Sequence, residues 1–147
     1  NQIACAGNKE CSFGVIPGKP DAIEMAEYLN KTVPIEDGKV RMYWSACPKG
    51  CGIHGVADIG FEGAKAKDEE GNSCYGVKIF IGGKAASSIL EARQLTKAVT
   101  MAKAQKITAE LLNIYKAEKT ENETFESFDS RVLSHLEIEE IQSRIGA

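Results

Sequence analysis

The chain has 147 residues, 43% of them apolar and 27% charged, the proportions of a folded domain, which exclude disordered, collagen-like and low-complexity architectures. Its formal charge is -3, from 18 basic and 21 acidic side chains, so no general electrostatic attraction to nucleic acid or to an anionic membrane is expected. No apolar run approaches the ~20 residues of a membrane span, and the opening Asn1-Gln2-Ile3-Ala4-Cys5 has neither an initiator Met nor the plan of a secretory signal. The length fits one domain over residues 1–147, expected to be cut from something longer.

Pro20 to Asn30 is the first predicted helix, because Asp21 stands three residues before Glu24 as a cap and Ile23, Ala26 and Tyr28-Leu29 keep helical spacing. Val40, Met42 and Trp44 alternate with Arg41, Tyr43 and Ser45, the period of a half-buried strand that delivers the chain to Cys47. Val56 to Lys67 and Tyr75 to Ile81 flank the polar cluster from Asp68 to Ser73 and read as a hairpin, closed by Gly82-Gly83. Residues 84 to 99 read as a loop with one short strand near Leu95 to Val99. Ala104, Ile107, Leu111, Ile114 and Tyr115 share one face of a helix from about Met101 to Glu118. Thr124 caps a short helix through Phe125, Phe128 and Val132. Ser134-His135-Leu136-Glu137 reads as a capping box opening a last helix with Leu136, Ile138, Ile141 and Ile145. Residues 117–147 are thus a helical tail; their 3 basic and 8 acidic side chains give -5, against +2 for the remainder, and read as a solvated helical face. Strands followed by helices give an α+β fold, a mixed sheet with helices packed against it.

Five cysteines are the unusual feature: Cys5, Cys11, Cys47, Cys51 and Cys74. An odd number without a signal peptide argues against a disulfide framework and for metal or redox chemistry. Cys5 and Cys11 stand as C-x5-C, and Cys47 and Cys51 as C-x3-C. Structural zinc sites favour tighter knuckles, whereas an iron–sulfur cube sends each thiolate to a different iron and accepts wide spacing. Gly50 and Gly52 bracket Cys51, leaving room for something flat and large and offering amide donors to sulfur. Spacing alone leaves two readings open, a four-cysteine metal site or buried, incidental thiols.

The run Cys5-Ala6-Gly7-Asn8-Lys9-Glu10-Cys11 followed by Cys47-Pro48-Lys49-Gly50-Cys51-Gly52 resembles the C-terminal part of sirohaem-containing nitrite and sulfite reductases. The stretches Val56 to Gly63, Ala66 to Gly71 and Val77 to Gly83 look most like ferredoxin-dependent nitrite reductases, and Tyr115-Lys116, Glu123 to Phe128 and Arg131-Val132 resemble the family's final helical segment. The resemblance implies that Cys5, Cys11, Cys47 and Cys51 ligate one [4Fe-4S] cluster. It also implies that Cys51, flanked by Gly50 and Gly52, bridges to the iron of sirohaem. Ferredoxin would be the electron donor, and nitrite would be reduced by six electrons to ammonia. The implied partners are the upstream domains of the same enzyme, with no nucleic acid and no membrane, and the implied location is the cytoplasm, or the plastid in a plant. The family's anion-binding residues lie upstream, so no catalytic residue is expected in this chain and the isolated 147 residues are expected to be inactive and to hold no sirohaem stably. Ala46, Lys49 and Lys84 depart from the family's usual residues; Lys49 would raise the cluster potential or face ferredoxin, or else be a solvated lysine.

Two other functions fit the same cysteines: an assimilatory sulfite reductase domain, reducing sulfite to sulfide, and a non-catalytic module binding zinc or a lone cluster. His54 reads as polar packing rather than a fifth ligand, His135 as exposed, Cys74 as a bystander thiol, and Tyr43 and Trp44 as strand core. Ser87-Ser88 has no nearby His and carries no hydrolase signature.

Overall fold

The computed structural model describes residues 1–85 and 88–146. Ser87 of the Ser87-Ser88 pair, and part of the loop expected over 84 to 99, lie outside the described residues. The elements in chain order are β1 (Gln2–Ala4), α1 (Lys19–Thr32), β2 (Met42–Ser45), a 3-10 turn (His54–Val56), β3 (Ile59–Lys67), β4 (Ser73–Ile81), β5 (Arg93–Gln94), β6 (Val99–Thr100), α2 (Met101–Glu118), α3 (Phe125–Arg131), a second 3-10 turn (Leu133–His135) and α4 (Ile138–Ile145). The sheet runs β1-β2-β3-β4-β5, with β6 also on β4; β1, β2 and β3 are mutually parallel and β4 is antiparallel to its neighbours. This is the mixed sheet and α+β class that the sequence implied.

The core lies between one face of this sheet and the helices. Trp44 and Phe61 are register partners on β2 and β3, and their rings stack with centroids 4.0 Å apart. Met25 and Leu29 of α1, Ile107, Leu111 and Tyr115 of α2, and Phe125 and Phe128 of α3 complete the same cluster. Helix α2 runs over the residues its apolar spacing marked, with Thr100 accepting a hydrogen bond from the Lys103 amide as its cap. The hairpin also forms as read, paired from Ile59↔Ile81 to Lys67↔Ser73.

Four expectations are corrected. Asp21 sits inside α1 rather than at its cap: Gly18 is the N-cap, and the Asp21 carboxylate accepts its amide at 3.0 Å. Strand β2 is buried along its whole length, not half-buried, because it is an interior parallel strand and a loop covers the face bearing Ser45. No capping box opens α4; the Ser134 hydroxyl donates to the Ser130 carbonyl instead, and the helix starts later, at Ile138. In place of one strand over Leu95 to Val99 there are two short ones, β5 and β6, both borrowing the free edge of β4.

The acidic tail is not simply a solvated face. Its exposed acids include Glu121, Glu137, Glu139 and Glu140, but Glu123 and Asp129 are buried with Phe125, Phe128, Ile141 and Ile145. Arg41 ties this tail to the sheet, pairing with Asp58 at 2.9 Å and Glu126 at 3.3 Å, while Arg93 donates to the carbonyls of Leu133 and Leu136.

Candidate metal centre

Parallel strands deliver their loops to one end of a sheet, and β1 and β2 deliver the cysteines. Ala4 is the register partner of Trp44, so Cys5 emerges beside Ser45 and Ala46, with Cys47 one residue further on. The Cys5 amide donates to the Trp44 carbonyl at 3.1 Å, and the Ala46 amide donates to the Cys5 sulfur at 3.2 Å. The loop carrying Cys11 folds back on the same place: the Asn8 amide donates to Ile16 and the Val15 amide to Ala46, at 2.9 and 2.8 Å. Gly7 makes that fold possible. It has φ +81°, and a Cβ there would stand 1.7 Å from the Pro17 carbonyl oxygen.

The second loop is a tight turn, with the Gly50 amide donating to Cys47 and the Ile53 amide to Gly50. Cys47 is buried, Cys5 and Cys11 are half-buried, and Cys51 is exposed. The Lys49 ammonium lies 4.4 Å from the centre of the Phe13 ring, so a cation–π contact joins the two cysteine loops at the surface. Phe13 and Ile53 are 63% and 50% exposed, leaving apolar surface on the loops that carry Cys11 and Cys51.

The two glycines around Cys51 are explained differently from the sequence reading. Gly52 gives its amide to Ser45 Oγ at 3.0 Å and not to sulfur. A Cβ on Gly52 would meet the Trp44 carbonyl oxygen at 1.8 Å, so its missing side chain makes room for β2. Gly50 is required by its backbone, at φ +79°. The amide donor to sulfur comes instead from Ala46.

His54 is buried against this turn. Its Nδ1 lies 2.8 Å from Ser45 Oγ and its Nε2 3.1 Å from Glu62 Oε2, so both ring nitrogens are engaged and the packing reading of His54 agrees with its surroundings. His135 is exposed, and Cys74 lies on β4, opposite Ala66. Ser45 and Glu62 went unnoticed in the sequence, because only the β2–β3 register makes them neighbours. A cleft of about 360 Å³ opens beside the turn, lined by Pro48, Gly50, Ile53, Glu62, Phe80 and Glu91 among others.

The donor set suits an iron–sulfur cube. Thiolates from two loops share one end of the sheet, one sulfur already receives a backbone amide, and a cube takes each thiolate on a separate iron. Among the described residues no three Cys, His, Asp or Glu side chains are drawn together as ligands of one metal ion.

Residues 1–133 match the nitrite and sulphite reductase 4Fe-4S domain. The chain belongs to that family. Its members are oxidoreductases, and the family implies an iron–sulfur cluster. Among curated relatives it is 36% identical over 110 residues to the chloroplastic ferredoxin–nitrite reductase of Spinacia oleracea, covering 75% of this chain and 18% of that protein. It is 40% identical over 82 residues to the ferredoxin–nitrite reductase of Synechococcus elongatus, covering 56% of this chain and 16% of that one. The family fold extends to the Mycobacterium tuberculosis NirA protein, with a TM-score of 0.79 over 96% of this chain and 26% of the other at 23% identity. Dissimilatory sulfite reductase I matches with a TM-score of 0.69 at 12% identity, over 97% of this chain and 51% of that one. The chain therefore spans less than a fifth of the spinach and cyanobacterial relatives. No helix among the described residues is long and apolar enough to cross a membrane.

Proposed function

We propose that this chain is the C-terminal cofactor-binding domain of a ferredoxin-dependent nitrite reductase, with Cys5, Cys11, Cys47 and Cys51 as the ligands of one [4Fe-4S] cluster and Cys51 also a ligand of sirohaem iron. The observation that carries this reading is that the loops bearing the two cysteine pairs lie side by side at the ends of parallel strands, tied by the Ala46 amide on the Cys5 sulfur and by the Val15 amide on the Ala46 carbonyl, with Cys51 the exposed cysteine. An exposed thiolate is the one free to serve a second metal. When bound, the cluster and sirohaem supply one-electron storage and delivery for the six-electron reduction of nitrite to ammonia.

The chain's own residues then have defined tasks. Ala46 gives an amide hydrogen bond to the Cys5 sulfur, which stabilises the thiolate charge. Burial of Cys47 shields its end of the centre from water. Phe13 and Ile53 offer apolar surface on the side of Cys51, where a macrocycle would pack. The residues that bind the anion belong to the upstream domains, and ferredoxin is the donor; the complete enzyme works in the cytoplasm or a plastid, and the 147 residues alone turn over neither anion.

The test is turnover by the complete enzyme with reduced ferredoxin and each anion. Six electrons consumed per nitrite, with ammonia formed, support the reading; a preference for sulfite with release of sulfide assigns the chain to the sulfite branch of the family. Replacing Cys51 by Ser is expected to abolish ammonia formation, while replacing Cys74 by Ser leaves it within twofold of the parent.

A further inference from the structure

Ser45 and Glu62 are register partners on β2 and β3, so both side chains point to the same face of the sheet. His54 bridges them there, and the three are only 1%, 8% and 8% exposed. The chain is continuous: the Gly52 amide donates to Ser45 Oγ, His54 Nδ1 shares a hydrogen bond with that same Oγ, and His54 Nε2 shares one with Glu62 Oε2. Glu62 is held from its other oxygen by Lys78, 3.8 Å away, and the His54 ring meets Phe80 edge-on, 5.1 Å between centroids. Gly60 leaves room for this assembly, since a Cβ there would stand 2.2 Å from the His54 carbonyl oxygen.

What the assembly holds is strained. Ile53, between Gly52 and His54, has φ +52° and ψ +35°, a left-handed conformation that a β-branched residue resists. Such a residue persists only where its neighbours are pinned, and here both are: Gly52 by Ser45 and His54 by Ser45 and Glu62.

We propose that Ser45, His54 and Glu62 are positioning residues for Cys51, holding the Gly52 amide and the strained turn so that the thiol one residue earlier is presented in a single place. This assignment rests on the reading of Cys51 as a cluster ligand, and the experiment separates the two.

Amide hydrogen exchange is measured first on the reduced, metal-free 147-residue chain. His54→Phe and Glu62→Leu are expected to lower the protection of the Gly52 amide at least tenfold, leaving the amides of Ile79 and Leu111 unchanged. Glu62→Gln, which keeps a hydrogen-bond partner for Nε2, is expected to stay within twofold of the parent, and Ile53→Gly added to His54→Phe is expected to recover part of the lost protection. The same variants are then reconstituted anaerobically with iron and sulfide. After desalting, His54→Phe and Glu62→Leu are expected to retain several-fold less iron than the parent, with altered electron paramagnetic resonance of the reduced centre. Unchanged protection of Gly52 in both variants overturns the proposal. Equal loss at Gly52, Ile79 and Leu111 overturns it too, because the triad would then only hold the fold together. A parent chain that takes up no iron overturns the cluster reading instead and leaves the exchange result to judge the triad.

Discussion

Gly52 owes its identity to a carbonyl 44 positions into the chain. Because a Cβ would sit 1.8 Å from the Trp44 oxygen, Gly52→Ala is expected to lift the 47–52 turn off β2 and lower stability by about 1–3 kcal/mol. Thermal unfolding reads the stability, and iron retention after reconstitution reads the loss of the turn. At this scale the C-x5-C and C-x3-C spacings drew attention to the two cysteine loops, which the strands do bring side by side, and the burial of His54 agrees with its reading as a packed polar residue. The reason for Gly52 was not, because it lies in a close approach between the turn and a strand. Ser45 and Glu62 were hidden in the same way: a polar residue at a strand end carries no mark of its partner until register pairs them.

Two buried carboxylates in the C-terminal helical segment respond to pH in opposite senses. Arg131 grips Glu123 through two hydrogen bonds, at 2.8 and 3.0 Å, and with the Thr120 amide holds its carboxyl down at about 2, against an ordinary 4.5. That stabilisation is present above about pH 4.5 and is lost as the pH falls through about 2. Arg131→Met leaves the carboxylate without its main partner and is expected to move the acid limb of unfolding upward, read by an acid titration of the folded signal. Asp129 is the reverse case. Burial raises it from 3.8 to about 6 despite Arg93 and Lys84 nearby, and its Oδ1 has no hydrogen-bond partner. The protonated form favours the fold, so stability is full below about pH 4 and declines as the pH rises through about 6. Asp129→Asn is expected to flatten that decline and to raise stability at pH 8 by about 2–3 kcal/mol, read by denaturant titration across pH 4–8. Helix α2 and the β3–β4 hairpin were readable because each is long and periodic. The three residues of β1 and the two each of β5 and β6 were not, because such short strands exist only by pairing with β2 and β4.

For the whole molecule, the stacked Trp44 and Phe61 join the structural and functional halves, since the strand that buries Trp44 ends at the cysteine turn. Trp44→Ala is expected to cost about 3–5 kcal/mol and to release the turn with the core, so its loss of iron should follow its loss of fold, unlike that of Glu62→Leu. The ordinary composition of the chain gave no hint of this coupling; the α+β class and the family were legible, but only through the cysteine spacing and the residues around it. The claim on which the rest depends is that four of the five thiols hold one cube. It is tested by anaerobic reconstitution of the 147-residue chain, followed by iron and acid-labile sulfide analysis with spectra of the reduced centre. About four iron and four sulfide per chain are expected, falling to a small fraction on replacing any of Cys5, Cys11, Cys47 or Cys51 by Ser and unchanged for Cys74→Ser. One zinc per chain with no iron-dependent absorbance, or undiminished iron in any of those four variants, would contradict it.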